Sequence, residues 1–315
     1  GALGEHPVGE HVRERPARGQ RTGPAAPVLG DERPSAWMHL RQRRRGQTVG
    51  LVQTAADRAG EAVRAGGRRG LPPGAAHLRQ AQAARPAASL RALMNGSRSL
   101  GAEQAHQVVI MDKLLDSKSL FLTGNTSTLY VLPQFDLERD GPTVIEVPAG
   151  MLGLFDDAWF HYVQDIGPFG QDKGKGGKFL LVPPGYQGEL PKGYFLVKPK
   201  TYKVWSVMRA SIAHGLVSAV KNIKDNLKVY PLSKVSDQPV MEFISGSGKA
   251  FNTIHPNDFS FYGHLNHVIQ EEPLGMLDIE TRGLLASIGI EKGKEFAPDN
   301  RMKKILTDAV AIANA

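Results

Sequence analysis

Three aspartates and two aromatic residues crowd one short stretch. Asp156 and Asp157 precede, and Asp165 follows, a run that carries Trp159 and Tyr162. Paired carboxylates beside aromatic rings suit glycoside hydrolysis, in which one acid protonates the leaving oxygen while the other stabilises or attacks the reacting carbon. On that reading Asp157 or Asp165 is the acid or base, and Arg209 offsets negative charge developing in the transition state. The same aspartates serve equally well as turn formers at the two ends of a strand. A second cluster, Asn125-Thr126-Ser127-Thr128-Leu129-Tyr130, brings four polar side chains to the mouth of a strand. Amide and hydroxyl groups so placed, with Tyr130 and Trp159 as stacking faces, suit a bound ligand. An ordinary capped turn uses the same residues.

Lysine and histidine clusters offer other chemistry. Residues 170–178 read G-Q-D-K-G-K-G-G-K. The spacing is not that of a P-loop, and the segment precedes a strand instead of opening a helix. It is either a flexible hairpin-type loop with solvated lysines or a loop that closes on an anionic ligand through Lys173, Lys175 and Lys178. Ser245-Gly246-Ser247-Gly248-Lys249 is a turn, or a nest of backbone N–H groups for an anion. His264 and His267 are neighbours on one helix face, with Glu271 one turn further on and His255 nearby. They suggest a two-histidine, one-carboxylate metal set. Leu265 and Val268 belong to an apolar stripe, however, which leaves the histidines flanking it, and no metal is expected. Ser218 and Lys221 match S-x-x-K without the partner motifs of that enzyme class. The chain has no cysteine, which excludes thiolate nucleophiles and Cys-ligated metals. No G-x-S-x-G, H-E-x-x-H, G-x-G-x-x-G or EF-hand pattern occurs, so no cofactor is expected.

The elements that must position these residues are legible from pattern. Residues 100–118 read as helical. Short β-rich runs follow at Ser127–Leu132, Thr143–Val147, Trp159–Gln164, Lys178–Val182, Tyr194–Val197 and Thr201–Arg209, separated by Gly/Pro turns. Four amphipathic helices complete the chain. Leu216, Val217, Val220, Ile223 and Leu227 form the stripe of the first, and Phe261, Tyr262, Leu265, Val268 and Ile269 that of the second. Asp278 and Asp299 cap the third and fourth. Strands over 127–209 and then helices over 213–315 make an α+β fold with a β-sandwich or jelly-roll-like core. No run is long and apolar enough to span a membrane.

The charge sits apart from this body. Residues 1–90 hold 15 Arg against 7 acidic residues, a net of +8, while residues 91–315 balance to zero. That stretch lacks Lys, Ile, Asn, Phe and Tyr, and Trp37 is its one aromatic. So few large apolar groups cannot offset the entropy of ordering. Disorder is expected, with marginal helix near Gln53–Ala65. The segment is an Arg-rich tail for phosphates centred on Arg41–Arg45, a solvated tail without a partner, or a GC-rich gene read in the wrong frame. No nucleic-acid partner is expected for the neutral body, and a homo-oligomer stays open.

Several longer segments carry a resemblance. Phe121–Tyr130, Gly153–Phe160, Gly170–Leu180, Pro183–Tyr186 and Gly193–Phe195 resemble, in that order, signature segments of the bacterial family 1254 of domains of unknown function. The resemblance spans roughly residues 90–315. It implies a β-rich sandwich with attached helices, export behind a signal sequence, and usually a following domain of family 1214, which is not seen before Ala315. Members carry helical sequence ahead of Ser97–Glu103, where Arg/Ala/Gly-rich text stands here, a departure that favours the wrong-frame origin of residues 1–90. Many relatives have Asn-Ser-Asp at the position of Asn125-Thr126-Ser127, so no Asp role transfers there. The family offers no settled catalytic residue. The expected function is a periplasmic or secreted protein that binds or scaffolds a small molecule or glycan. Its ligand residues would be Asn125, Thr128, Tyr130, Trp159 and Lys178. The alternative is a hydrolase acting on a glycan or ester-like substrate through Asp157, Asp165 and Arg209.

Overall fold

The computed structural model describes residues 77–121 and 124–314. Residues 1–76, with the helix expected near Gln53–Ala65 and the Arg41–Arg45 cluster, lie outside the described residues. Helix α1 (Leu78–Ser99) starts inside the stretch expected to be disordered up to residue 90. Ala81, Ala84, Ala87 and Ala88 are fully buried there. Composition alone undervalues such a segment: alanine buries little area, yet its small side chain lets a helix backbone pack closely on its neighbours. The interior Pro86 removes one helical N–H, a cost offset by this packing. Ala84→Leu or Ala88→Leu is therefore expected to overpack the helix and destabilise the protein by about 1–3 kcal/mol. A urea midpoint unchanged from wild type would show that α1 does not pack on the body.

The larger, seven-stranded sheet runs β12 (Glu242–Ser245), β1 (Gln107–Met111), β3 (Thr128–Leu132), β10 (Lys203–Ser211), β6 (Met151–Asp157) and β7 (Tyr162–Ile166), with β4 (Gln134–Asp136) also paired to β10. The smaller, four-stranded sheet runs β11 (Lys228–Pro231), β5 (Thr143–Val147), β8 (Gly177–Leu181) and β9 (Phe195–Val197). A ribbon pairs β2 (Ser119–Leu120) with β13 (Phe251–Asn252). The β1–β12 and β8–β9 pairings are parallel. Strands thus reach beyond 127–209 on both sides.

Alternation along the strands explains the layers. Val108, Ile110, Leu129, Val131, Phe155, Val204 and Met208 face Ile145, Val147, Phe179, Leu181, Val197 and Val229 of the smaller sheet, forming the sandwich core. Phe155 and Phe179 meet at its centre, their ring centroids 5.7 Å apart. The opposite face of the larger sheet buries Val109, Met111, Tyr130 and Leu132, and Trp205 with α1, α4 (Ser260–Glu271), α5 (Ile279–Ala286) and α6 (Asn300–Asn314). Strand β1 is buried on both faces, so its sequence is a continuous apolar run without period two. That is why residues 100–118 read as helix while Gln107–Met111 is strand.

Between the strands, Asp136 caps the single-turn α2 (Leu137–Asp140) and receives buried Lys203 Nζ at 2.9 Å. Helix α3 (Leu216–Asn226) lays Leu216, Ala219, Val220 and Ile223 against the sandwich core. Val217, expected in that stripe, is 79% exposed, because Ala219 holds the buried position. The expected caps form: Asp278 Oδ1 accepts from Thr281 N at 2.7 Å and Asp299 Oδ1 from Met302 N at 2.7 Å. The Gly170–Lys178 segment is not an open hairpin tip. Its buried Asp172 accepts from Gly167 N at 2.8 Å and Gly176 N at 3.3 Å, closing the loop on itself. Residues 245–249 form a turn in which Lys249 N donates to Gly246 O.

Candidate functional site

Strand register decides which candidates meet. Tyr130 on β3 lies directly opposite Arg209 on β10. The Arg209 Cζ sits 5.4 Å from the Tyr130 ring centroid, within cation–π range. The same face continues through Val207 on β10 and through Leu152 and Leu154 on β6 to Asp165 on β7, which pairs with Leu154. A register shift between Phe155 and Asp156 brings Tyr162 round to this side, and its hydroxyl donates to Asp165 Oδ2 at 3.1 Å. Leu152, Leu154, Val207, Arg209 and Asp165 are half-buried and Tyr162 is exposed, whereas Phe155, Ile166 and Met208, pointing into the sandwich, are fully buried. The helical layer covers Trp205 and Phe121 packs on Tyr130, but this strip is left partly open. It is an aliphatic floor set with a guanidinium, a carboxylate and a phenol.

The polar cluster at the mouth of β3 shapes this face from beneath. Asn125 Oδ1 accepts from the backbone N–H and hydroxyl groups of both Ser127 and Thr128, at 2.9–3.1 Å. The Asn125 backbone N–H and Nδ2 both donate to the Tyr130 hydroxyl at 2.9 Å. Phe121 packs on the same ring, with centroids 5.4 Å apart. Asn125 and Thr128 therefore make a turn that fixes Tyr130, and Tyr130 in turn lies under Arg209.

Three expected residues sit elsewhere. Asp157 lies on the sandwich side of β6, one residue past Asp156. Its Oδ1 accepts from Trp159 N and His161 N at 2.8 Å each, and its Oδ2 lies 3.1 Å from His161 Nδ1. It holds the β6–β7 turn, in which Phe160 takes a φ of 56°. The expected pair of Asp157 and Asp165 does not share a face. Asp156 does share the face of Asp165, but at 3% exposure it lies below the surface a substrate would reach. Trp159 is in the turn, not on a strand, and is buried against the helices. Lys178 is on the smaller sheet, where its Nζ lies 3.2 Å from Glu146. Glu146 also accepts from the Tyr230 hydroxyl at 2.6 Å, and burial together with this carboxylate pushes the Tyr230 phenol well above its usual range.

The histidines gather where α1 meets α4. His267 Nε2 lies 2.8 Å from Glu271 Oε1, and Arg91 of α1 reaches Glu271 Oε2 at 3.3 Å. His264 Nδ1 is buried without a hydrogen-bond partner among the described residues. Burial first, and the nearby Arg91 guanidinium second, lower the pKa of His264 and His267, and burial also lowers that of His255. Among the described residues no three His, Asp or Glu side chains are arranged to hold a metal.

Two features went unread in the sequence. Leu152 and Leu154 floor the open strip, yet β6 ends in two aspartates and contains Gly153, so it lacks a strand-like composition. Glu272 follows an ordinary-looking helix end, but it is 1% exposed. Its carboxyl oxygens accept from Tyr202 N at 2.5 Å and Lys203 N at 2.9 Å. Burial pushes it up to about 7, against the pull of those N–H groups and of Lys203.

Residues 105–231 match DUF1254, a protein family of unknown function. The DUF1254 segment holds β1 to β11 with α2 and α3, including every residue of the open strip. Helices α1 and α4–α6, with β12 and β13, lie outside it, so the match is narrower than the resemblance expected over residues 90–315. No curated protein matches the chain. A protein from Vibrio parahaemolyticus, whose crystal structure was solved as a structural genomics target, is similar at a TM-score of 0.49 and 15% identity, over 75% of this chain. This chain spans 57% of that protein. Among the described residues no helix is long and apolar enough to cross a membrane.

Proposed function

We propose that the protein binds a small hydroxylated ligand, a glycan fragment, on the open strip of the larger sheet, and that it does not hydrolyse it. One observation carries this reading: Arg209, Asp165 and Tyr162 share one face of the sheet with Leu152, Leu154 and Val207, while Asp157 is turned to the other face with both oxygens engaged. Apolar sugar faces suit the aliphatic floor and the Tyr162 ring, and sugar hydroxyls suit the guanidinium and carboxylate. Hydrolysis would need a second reachable carboxylate at a set separation. The family resemblance supports an exported protein, periplasmic or secreted, and cell fractionation that recovers it from the cytoplasm would remove that placement.

Calorimetric titration with neutral and acidic oligosaccharides tests the reading. At least one should bind, and Tyr162→Ala and Arg209→Ala should each weaken it roughly tenfold or more. Melting curves control for folding, since Arg209 also covers Tyr130. Release of reducing ends that Asp165→Asn abolishes would establish the hydrolase instead.

A further inference from the structure

A cavity of about 380 Å³ lies among the end of α4, α5 and residues 290–292, outside the DUF1254 segment. Its size is that of small-molecule pockets. Ile269, Met276, Leu277, Leu285 and Ile290 give it apolar walls. At its mouth Leu274 is 50% and Ile279 79% exposed. Single exposed apolar residues are ordinary, but two at the mouth of one apolar cavity extend its surface outward.

The charged lining is selective. Four charged residues border the cavity: Glu272, Arg282, Glu291 and Lys292. Both Glu272 oxygens accept backbone N–H groups. Glu291 pairs with Lys294 at 2.8 Å. Lys292 Nζ donates to the backbone oxygens of Gln270 at 2.7 Å and Glu272 at 2.8 Å. Of the four, only the side chain of Arg282, exposed on α5, makes no hydrogen bond or ion pair with any described residue; its backbone N–H donates to Asp278 O. Beside it, a Cβ added to Gly283 would meet nothing within 4 Å, so the helix surface next to Arg282 is open.

We infer that this cavity binds a small amphiphilic carboxylate, its aliphatic tail against Ile269, Met276, Leu285 and Ile290 and its head on Arg282. The planar guanidinium fork matches a carboxylate with two parallel hydrogen bonds. A phosphomonoester would bring nearly two negative charges to one free cation, next to a buried acid. The sugar strip shares no residue with this cavity, so the two readings stand or fall separately.

Calorimetric titration of the full chain with octanoate, decanoate and decanamide tests the inference. Decanoate should bind more tightly than octanoate by about fourfold per added methylene, and roughly tenfold more tightly than decanamide. Arg282→Gln should erase the preference for acid over amide. Ala286→Phe, which fills the cavity, should weaken both. Arg282 and Ala286 are surface and half-buried positions, so the variants should fold. The inference is overturned if none of the three probes binds, or if acid and amide bind wild type equally. It is equally overturned if Arg282→Gln keeps the preference, or if a dimer is found that Ile279→Glu dissociates, making the mouth a contact between copies.

Discussion

Gly176→Ala is expected to lower the melting temperature by roughly 10 °C, corresponding to about 4 kcal/mol in a domain of this size. Two costs add at this position. Gly176 has a φ of +73°, where an L side chain pays about 1–2 kcal/mol in backbone strain. A Cβ there would also lie 2.3 Å from Val147 O and 2.7 Å from Ala149 N, backbone atoms of β5 and its turn that cannot swing aside. The same residue donates to buried Asp172, the acceptor that closes the loop, so a shift of the loop also leaves a buried carboxylate short of a donor. Gly185 is the control: its φ is +75° but nothing lies within 4 Å of an added Cβ. Gly185→Ala should lose only about 3 °C, from strain alone. Thermal melts followed by circular dichroism measure both, and equal losses would show that the close approach at Gly176 is not what selects glycine there.

The glycine-rich segment shows where sequence reading succeeds and where it stops. Lysines and glycines in alternation look like a solvated loop, because nothing local reveals that Asp172 turns inward or that Gly176 abuts another strand. β5, β8 and β10 were legible because apolar runs bounded by Gly and Pro carry their own signal, and the helix caps at Asp278 and Asp299 were legible because capping is local. Strand β1 was not, since burial on both faces removes the period of two. Helix α1 was not, since its contacts are made by alanines. The site divides the same way. Tyr130, Arg209 and Asp165 were singled out by residue type, and register places them on one face. Which face Asp157 takes, and which sheet Lys178 joins, depends on pairing between distant strands, and a register change of one residue reverses every side chain.

Glu272→Gln is expected to remove a component of stability that falls as pH rises between about pH 4.5 and 7. Burial raises the Glu272 carboxyl from 4.5 to about 7, so between those values the folded chain holds a proton that the unfolded chain releases. Its contribution is complete below about pH 4.5 and gone above about pH 7, a loss of about 3 kcal/mol as pH rises. The histidines act in the opposite sense. Burial, with Arg91 beside two of them, lowers the pKa of His255, His264 and His267 below 6.5. The unfolded chain therefore binds more protons, and stability is complete above pH 6.5 and lost as pH falls through the folded values. In wild type the two slopes oppose each other below pH 6.5, and the Glu272 slope alone continues to pH 7. In Glu272→Gln only the histidines remain, so stability should climb up to about pH 6.5 and then level. The glutamine also turns an amide N–H toward the N–H of Tyr202 or Lys203, which costs about 1–3 kcal/mol at every pH. The slope, not the height, is therefore diagnostic. Urea unfolding from pH 4.5 to 8 gives both curves. Parallel profiles for the two proteins would mean that Glu272 is ionised throughout, held so by the two backbone N–H groups and Lys203 in spite of its burial.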